Sequence, residues 1–265
     1  MPIQERFMTT ARGDMAWLEA GQGWPLLLLH AFPMTSAMWR PQLETVPEGW
    51  RFIAPDFRGF GRTPPGSAPF SIDAHAADVG ALMDALQIEE AIVAGLSMGG
   101  YVALAMFRQE PARLTGLVLA DTRASADTEE GRAARMKLRA ALAEHGPRAV
   151  ADQMVPKLLS PAAPRSLVAE VRATIESCHP RALDATIEAL MNRPDATPDL
   201  PGISRGTLIL VGEQDTVTPR ADADALERGI PRSTLTVIPG AGHLSNLEQP
   251  AAFSRALSDF LLARL

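Results

Sequence analysis

Residues 91–100 read Ala-Ile-Val-Ala-Gly-Leu-Ser-Met-Gly-Gly, and residues 101–107 continue Tyr-Val-Ala-Leu-Ala-Met-Phe. The first six are apolar or small, as in a strand buried on both faces of a sheet. The stretch after Gly100 reads as a helix. Between the two lies Gly95-Leu96-Ser97-Met98-Gly99, a serine flanked two residues away on each side by glycine. A serine on a sharp strand-to-helix turn sits in a strained backbone, and small neighbours relieve the crowding. Its hydroxyl is pushed out of the turn, and the N-terminus of the following helix adds partial positive charge there. That context makes Ser97 a candidate nucleophile.

Outward from this turn, short apolar runs alternate with helical patterns. The runs are 25–30 (PLLLLH), 51–56 (RFIAPD), 91–96, 114–121 (LTGLVLAD), 207–212 (TLILVG) and 234–239 (TLTVIP). They are nearly continuous rather than alternating, which suits a mostly parallel sheet covered on both faces. The stretch 71–87 opens with a serine cap and repeats Ile72, Ala76, Val79, Leu82, Met83 and Leu86 at helical spacing. Residues 99–109, 220–227 and 249–265 also read as helices. The expected architecture is α/β, a doubly wound parallel sheet.

One span breaks the rhythm. Residues 122–199 carry helical patterns and prolines but no strand pattern. They read as a helical lid inserted into a core made of residues 1–121 and 200–265. Residues 193–202 (RPDATPDLPG) are rich in turn formers and return the chain to the sheet.

A serine nucleophile needs a base. His243 fits, in Pro239-Gly240-Ala241-Gly242-His243, a glycine-rich loop after a strand. The base needs an acid to fix its tautomer and stabilise the imidazolium. Asp215 fits, in Gly212-Glu213-Gln214-Asp215-Thr216-Val217-Thr218-Pro219, again after a strand. Asp121, at the end of the strand before the lid, is the other candidate acid. Catalytic groups of open α/β sheets collect at the carboxyl ends of strands, where all of these fall. The backbone N–H of Met98 is one expected oxyanion donor. The second should come from His30-Ala31-Phe32-Pro33; proline has no N–H, which leaves Phe32.

The motifs LLLLHAFPMTSAMW, DFRGFGRT, GLSMGG, GEQDTVTP and PGAGHLSNLEQP resemble, in order, those of the α/β-hydrolase superfamily. The nearest likeness is to small bacterial esterases and enol-lactone hydrolases. It covers about residues 15–121 and 200–265. It implies an α/β-hydrolase fold with a Ser97–His243–Asp215 triad, no cofactor, and a small-molecule ester or lactone substrate cleaved through an acyl-enzyme. The same triad on this fold also serves C–C bond hydrolysis and peracid formation, and the motifs do not separate these. Epoxide hydrolases and haloalkane dehalogenases carry aspartate at the turn, against Ser97. A non-catalytic receptor on the fold is a further alternative, which an intact triad disfavours. The chain departs from the family in one place: Ala31 stands where glycine is usual.

Bulk properties exclude other classes. Of 265 residues, 46% are hydrophobic and 21% charged, so a sizeable core is possible. The net charge of -6 gives no reason to bind nucleic acid or an anionic membrane surface. The N-terminus lacks an apolar signal core, and no apolar run approaches a membrane span, so a cytoplasmic location is expected. Gly59-Phe60-Gly61 lacks the third glycine of a dinucleotide fingerprint. His75, His145 and His179 lack metal-ligand spacing and read as surface or lid residues, so no metal is expected. His30 reads as structural, and Cys178 as a small buried residue. Met34, Trp39 and Leu244 are candidate substrate-pocket residues. Arg123, at the base of the lid, is a candidate partner for a substrate carboxylate.

Overall fold

In the computed structural model, which describes residues 2–66 and 69–263, the sheet has eight strands. They are β1 (Gln4–Thr10), β2 (Gly13–Gly21), β3 (Trp24–Leu29), β4 (Trp50–Pro55), β5 (Ala91–Leu96), β6 (Leu114–Ala120), β7 (Thr207–Gly212) and β8 (Ser233–Ile238). Their order is β1-β2-β4-β3-β5-β6-β7-β8. Only β2 runs against the others, pairing antiparallel with β1 and β4; β3 to β8 are parallel. Every residue of β5 and β7 is buried, as their apolar runs predict.

The sequence patterns do not reveal β1 and β2. β1 reads QERFMTT and is almost wholly exposed, so it carries no continuous apolar run. It joins the sheet through a hairpin closed at Thr10 and Gly13. β8 is less buried than its apolar pattern suggests, because it forms the opposite edge of the sheet.

The helices are α1 (Arg40–Leu43), α2 (Ile72–Ala85), α3 (Met98–Gln109), α4 (Glu129–His145), α5 (Pro147–Leu158), α6 (Arg165–Ser177), α7 (Pro180–Met191), α8 (Arg220–Gly229), α9 (Ser245–Glu248) and α10 (Pro250–Leu262). Ser71 caps α2 by accepting the Ala74 N–H at 2.9 Å. The C-terminal helix starts at Pro250, where proline suits a first turn; residues 264–265 of the expected helix lie outside the described residues. No helix among the described residues is long and apolar enough to cross a membrane.

Helices α4 to α7 all lie between β6 and β7. Their entry and exit are tied at the neck. The Ala196 N–H donates to the Ala124 carbonyl at 2.9 Å. Buried Arg193 pairs with Asp127 and places its guanidinium 4.3 Å from the Tyr101 ring centroid on α3. The insertion thus leaves and rejoins the core at one point, beside the helix that follows Ser97.

Candidate active site

Ser97 lies at the carboxyl end of β5 with φ 54° and ψ −113°. Positive φ is costly for a residue with a Cβ, and such strain at a sharp turn is characteristic of functional positions. The surrounding contacts enforce it. A Cβ on Gly95 would come 2.1 Å from the Gly99 carbonyl oxygen, and one on Gly99 would come 2.1 Å from that of Leu29. Only glycine allows α3 to start so close to β5 and β3. Thr122 braces the turn by donating its hydroxyl to the Ser97 carbonyl at 2.8 Å. The Ser97 side chain makes no capping bond to its helix, which leaves Oγ available.

The structure brings Ser97, His243 and Asp215 into one chain. Ser97 Oγ lies 2.8 Å from His243 Nε2, and His243 Nδ1 lies 2.8 Å from Asp215 Oδ2. With Nδ1–H donating to the carboxylate, Nε2 is left to accept the serine proton. Asp215 sits in a tight turn after β7, where Oδ1 accepts the N–H groups of Val217 and Thr218 at 2.8 and 3.0 Å. Asp215 therefore closes its turn with one oxygen and binds the imidazole with the other. Burial favours the protonated acid, but His243 and the Thr218 donors outweigh it and hold Asp215 below the usual carboxylate range. Burial likewise opposes the imidazolium; Asp215 and Asp121 outweigh that and raise His243 above its ordinary value.

Asp121 ends β6 beside this group but does not bond the imidazole. Its Oδ1 accepts the Gly212 N–H at 2.7 Å, and its Oδ2 pairs with the Ser245 hydroxyl. It has no exposed surface, and burial together with the charge of Asp215 pushes its pKa up to about 8. Through these two bonds Asp121 acts as a strut between β6, β7 and the His243 loop.

The loop after β3 leaves the sheet next to the Ser97 turn, because Leu29 pairs with Gly95. The N–H groups of Phe32 and Met98 have no hydrogen-bond acceptor among the described residues. Ala31 keeps an ordinary φ, so its Cβ is accommodated; its N–H meets Met38 Sδ at 3.2 Å. His30 is structural: Nδ1 donates to the Ala31 carbonyl at 2.9 Å, and Nε2 accepts the Phe57 N–H at 3.0 Å. Complete burial lowers its pKa to about 4.

The remaining candidates divide. Met34 and Leu244 are buried in the loops that carry Phe32 and His243. The Leu244 N–H donates to the Leu158 carbonyl at the end of α5. Trp39 is fully buried with its ring 5.9 Å from Phe253 of α10, a core position rather than a pocket wall. Arg123 is already engaged, by the Val217 carbonyl and by Asp222 at 3.3 Å. Cys178 is buried, its thiol 3.6 Å from the Pro33 carbonyl, and desolvation pushes its pKa up to about 12. His145 and His179 are exposed on the helical insertion. His75 is not on the surface: it is fully buried in α2, 4.9 Å from the Phe57 ring, with neither ring nitrogen bonded. Its helix turns it inward, where a histidine occupies an apolar position of the periodic pattern. Among the described residues no cluster of His, Cys, Asp and Glu could hold a metal ion.

Two residues of the site escape sequence reasoning. Thr218 donates its hydroxyl to Asp215 Oδ2 at 2.6 Å. Glu248 accepts the Gly242 N–H at 2.8 Å with Oε1 and the Ser160 N–H at 2.9 Å with Oε2. Both lie in the quoted loops, at positions whose partners only the fold reveals.

A model of the alpha/beta hydrolase family matches residues 26–256. The chain belongs to that family. It is 30% identical over 236 residues to 3-oxoadipate enol-lactonase 2 of Acinetobacter baylyi, covering 88% of this chain and 86% of the relative. A thermophilic esterase from Thermogutta terrifontis, solved with malate bound, superposes with a TM-score of 0.92. It is 35% identical, with 98% of each chain covered. The enol-lactonase from Burkholderia xenovorans LB400 shares the fold, at a TM-score of 0.89 and 24% identity over 97% of this chain and all of the other.

Proposed function

We propose that this chain is a serine hydrolase that cleaves carboxylic ester bonds of small to medium, mainly apolar acyl substrates. The observation that carries the reading is the unbroken chain Ser97 Oγ–His243–Asp215, with 2.8 Å at each link. Ser97 Oγ attacks the substrate carbonyl as its proton passes to His243 Nε2. The negative charge on the carbonyl oxygen is met by the N–H groups of Phe32 and Met98. His243 then protonates the leaving alcohol. A water, deprotonated by His243, cleaves the acyl-enzyme and returns Ser97 to its starting state.

Residues 122–199 act as a lid in this reading. The end of α5 bonds the His243 loop, and the α6–α7 junction rests on the Phe32 loop through Cys178. With Ser97 9% exposed and His243 1%, the lid excludes bulk water from the reaction. Enol-lactone hydrolysis is the second reading, favoured by the likeness to the Acinetobacter enzyme. A carboxylated lactone would want a free arginine near the chemistry, and the prior engagement of Arg123 supports the apolar ester instead.

Labelling by a fluorophosphonate tests the mechanism. Wild type should label and Ser97→Ala should not, with all but a trace of activity lost; labelling of the alanine variant would refute it. A p-nitrophenyl ester series tests the substrate. Each buried CH₂ contributes about 0.8 kcal/mol, so kcat/KM should climb from acetate toward butyrate or hexanoate. A roofed pocket then makes it fall by dodecanoate. A steady rise to palmitate, or a strong preference for anionic lactones, contradicts the compact apolar pocket.

A further inference from the structure

The Asp215 carboxylate receives more donors than holding an imidazole requires. Oδ1 takes two backbone N–H groups, while Oδ2 takes the Thr218 hydroxyl at 2.6 Å beside His243 Nδ1 at 2.8 Å. Thr218 Oγ1 is also only 3.3 Å from Nδ1. Both side chains are buried, so no water competes strongly for these groups. Resting on the serine-hydrolase reading above, we propose that Thr218 is a positioning residue that sets the proton affinity of His243 through Asp215.

A carboxylate oxygen has two lone pairs in its plane. On Oδ2 one goes to the Thr218 hydroxyl and the other to the imidazole N–H. The carboxylate plane is thereby pinned, and the acid faces the base in one orientation. The hydroxyl also draws charge from the oxygen that faces His243. The imidazolium is stabilised less than it would be by an oxygen bonded to it alone. Thr218 so keeps the base from becoming too strong to release its proton to a leaving alcohol.

Other charged groups act on the pair. Asp121 at the end of β6 favours the imidazolium, and Arg123 just beyond it opposes it. Asp222, on α8, lies near enough to Asp215 to feel its charge. A Thr218 substitution leaves all three in place, so a change in the titration of His243 reports the hydroxyl. The bland alternative is that Thr218 only closes the turn before α8. Its backbone N–H does that, and survives substitution.

The test titrates His243 by nitrogen-15 NMR of labelled protein, which needs no substrate. Thr218→Val keeps the branched shape and removes only the hydroxyl; Thr218→Ala removes it with less bulk, should valine hinder folding. Both should raise the His243 pKa by about half a unit to one unit, the equivalent of one neutral hydrogen bond. Thr218→Ser should titrate with wild type. The acid limb of kcat/KM should move upward by the same amount. An unmoved or lowered pKa in the hydroxyl-free variants overturns the proposal, even if their melting temperature falls. So does a serine variant that shifts as far as valine. Activity that survives Ser97→Ala would sink the hydrolase reading separately, while the titration still decides the role of Thr218.

Discussion

Glu248 Oε2 accepts the N–H of Ser160, just past the end of α5, at 2.9 Å, while its other oxygen accepts the N–H of Gly242 at 2.8 Å. One carboxylate therefore joins the helical insertion to the residue before His243. The fit is tight: a Cβ on Gly242 would lie 2.7 Å from the Ser160 nitrogen.

Glu248→Gln should loosen both segments at once. Glutamine offers one acceptor oxygen, and its NH₂ would face an N–H donor, leaving one amide unsatisfied at about 1–2 kcal/mol. Hydrogen exchange should accelerate in residues 158–162 and 240–244 together. Acceleration confined to one of the two would show that the carboxylate does not couple them.

The two aspartates should separate sharply on replacement by asparagine. Asp215→Asn reverses the tautomer preference of His243 and should cost about 10⁴-fold in kcat. Asp121→Asn should cost under about tenfold, because the amide oxygen can still accept the Gly212 N–H and the NH₂ can meet the Ser245 hydroxyl, which turns from donor to acceptor. If Asp121→Asn were the more damaging change, the acid would be misassigned. Stability gives a second check. With a folded pKa of about 8, Asp121 holds a proton that the unfolded chain releases near the ordinary aspartate value of 3.8. Stability is therefore lost as pH rises through that window. Asp121→Asn lacks this loss, so its melting temperature relative to wild type should increase from pH 5 to pH 8.

In the proposed mechanism His243 acts as a base and must be neutral, so kcat/KM should rise with pH. Its folded pKa is raised above 6.5, so the midpoint should lie above that of a free imidazole. The stabilising interaction with Asp215 is complete below 6.5 and fades as pH rises through the folded value. Activity and this part of stability thus move in opposite directions with pH. A pH–rate profile with a midpoint below 6.5 would contradict the assignment of His243 as the base.

His75→Leu should stabilise the protein, and more so in acid. The imidazole is buried without a partner, and burial together with Arg58 and His30 lowers its pKa to about 3. Below 6.5 the unfolded chain gains a proton that the folded one refuses, so wild type loses stability as pH falls. From pH 8 to pH 5 this amounts to about 2 kcal/mol. Denaturant titrations of both proteins at the two pH values check it; an advantage that does not grow in acid would mean His75 finds a partner.

Much of this site is legible in the chain. The Ser97 turn can be read from Gly95 and Gly99, since a backbone that crowds a neighbouring strand excludes every other residue. His243 and Asp215 follow from loops that end apolar runs. The N-terminal hairpin is hidden because a solvated edge strand has no apolar run to betray it. His75 misleads because one polar residue at an apolar position leaves the helical period intact while its environment goes unstated.

By itself the sequence determined the parallel strands β3 to β8, the Ser97 turn, and the loops that bear the candidate acid and base. These follow from local facts: apolar periodicity, and backbone geometry only glycine allows. The tertiary structure decided how the two aspartates are used: Asp215, in the turn after β7, reaches His243 Nδ1, while Asp121, beside it after β6, is taken up by Gly212 and Ser245. It also decided that Thr218 shares the oxygen of Asp215, and that Glu248 spans two segments 88 residues apart and six residues apart. Those relations depend on the register of packed elements, and register is a property of the assembled sheet rather than of any one stretch of chain.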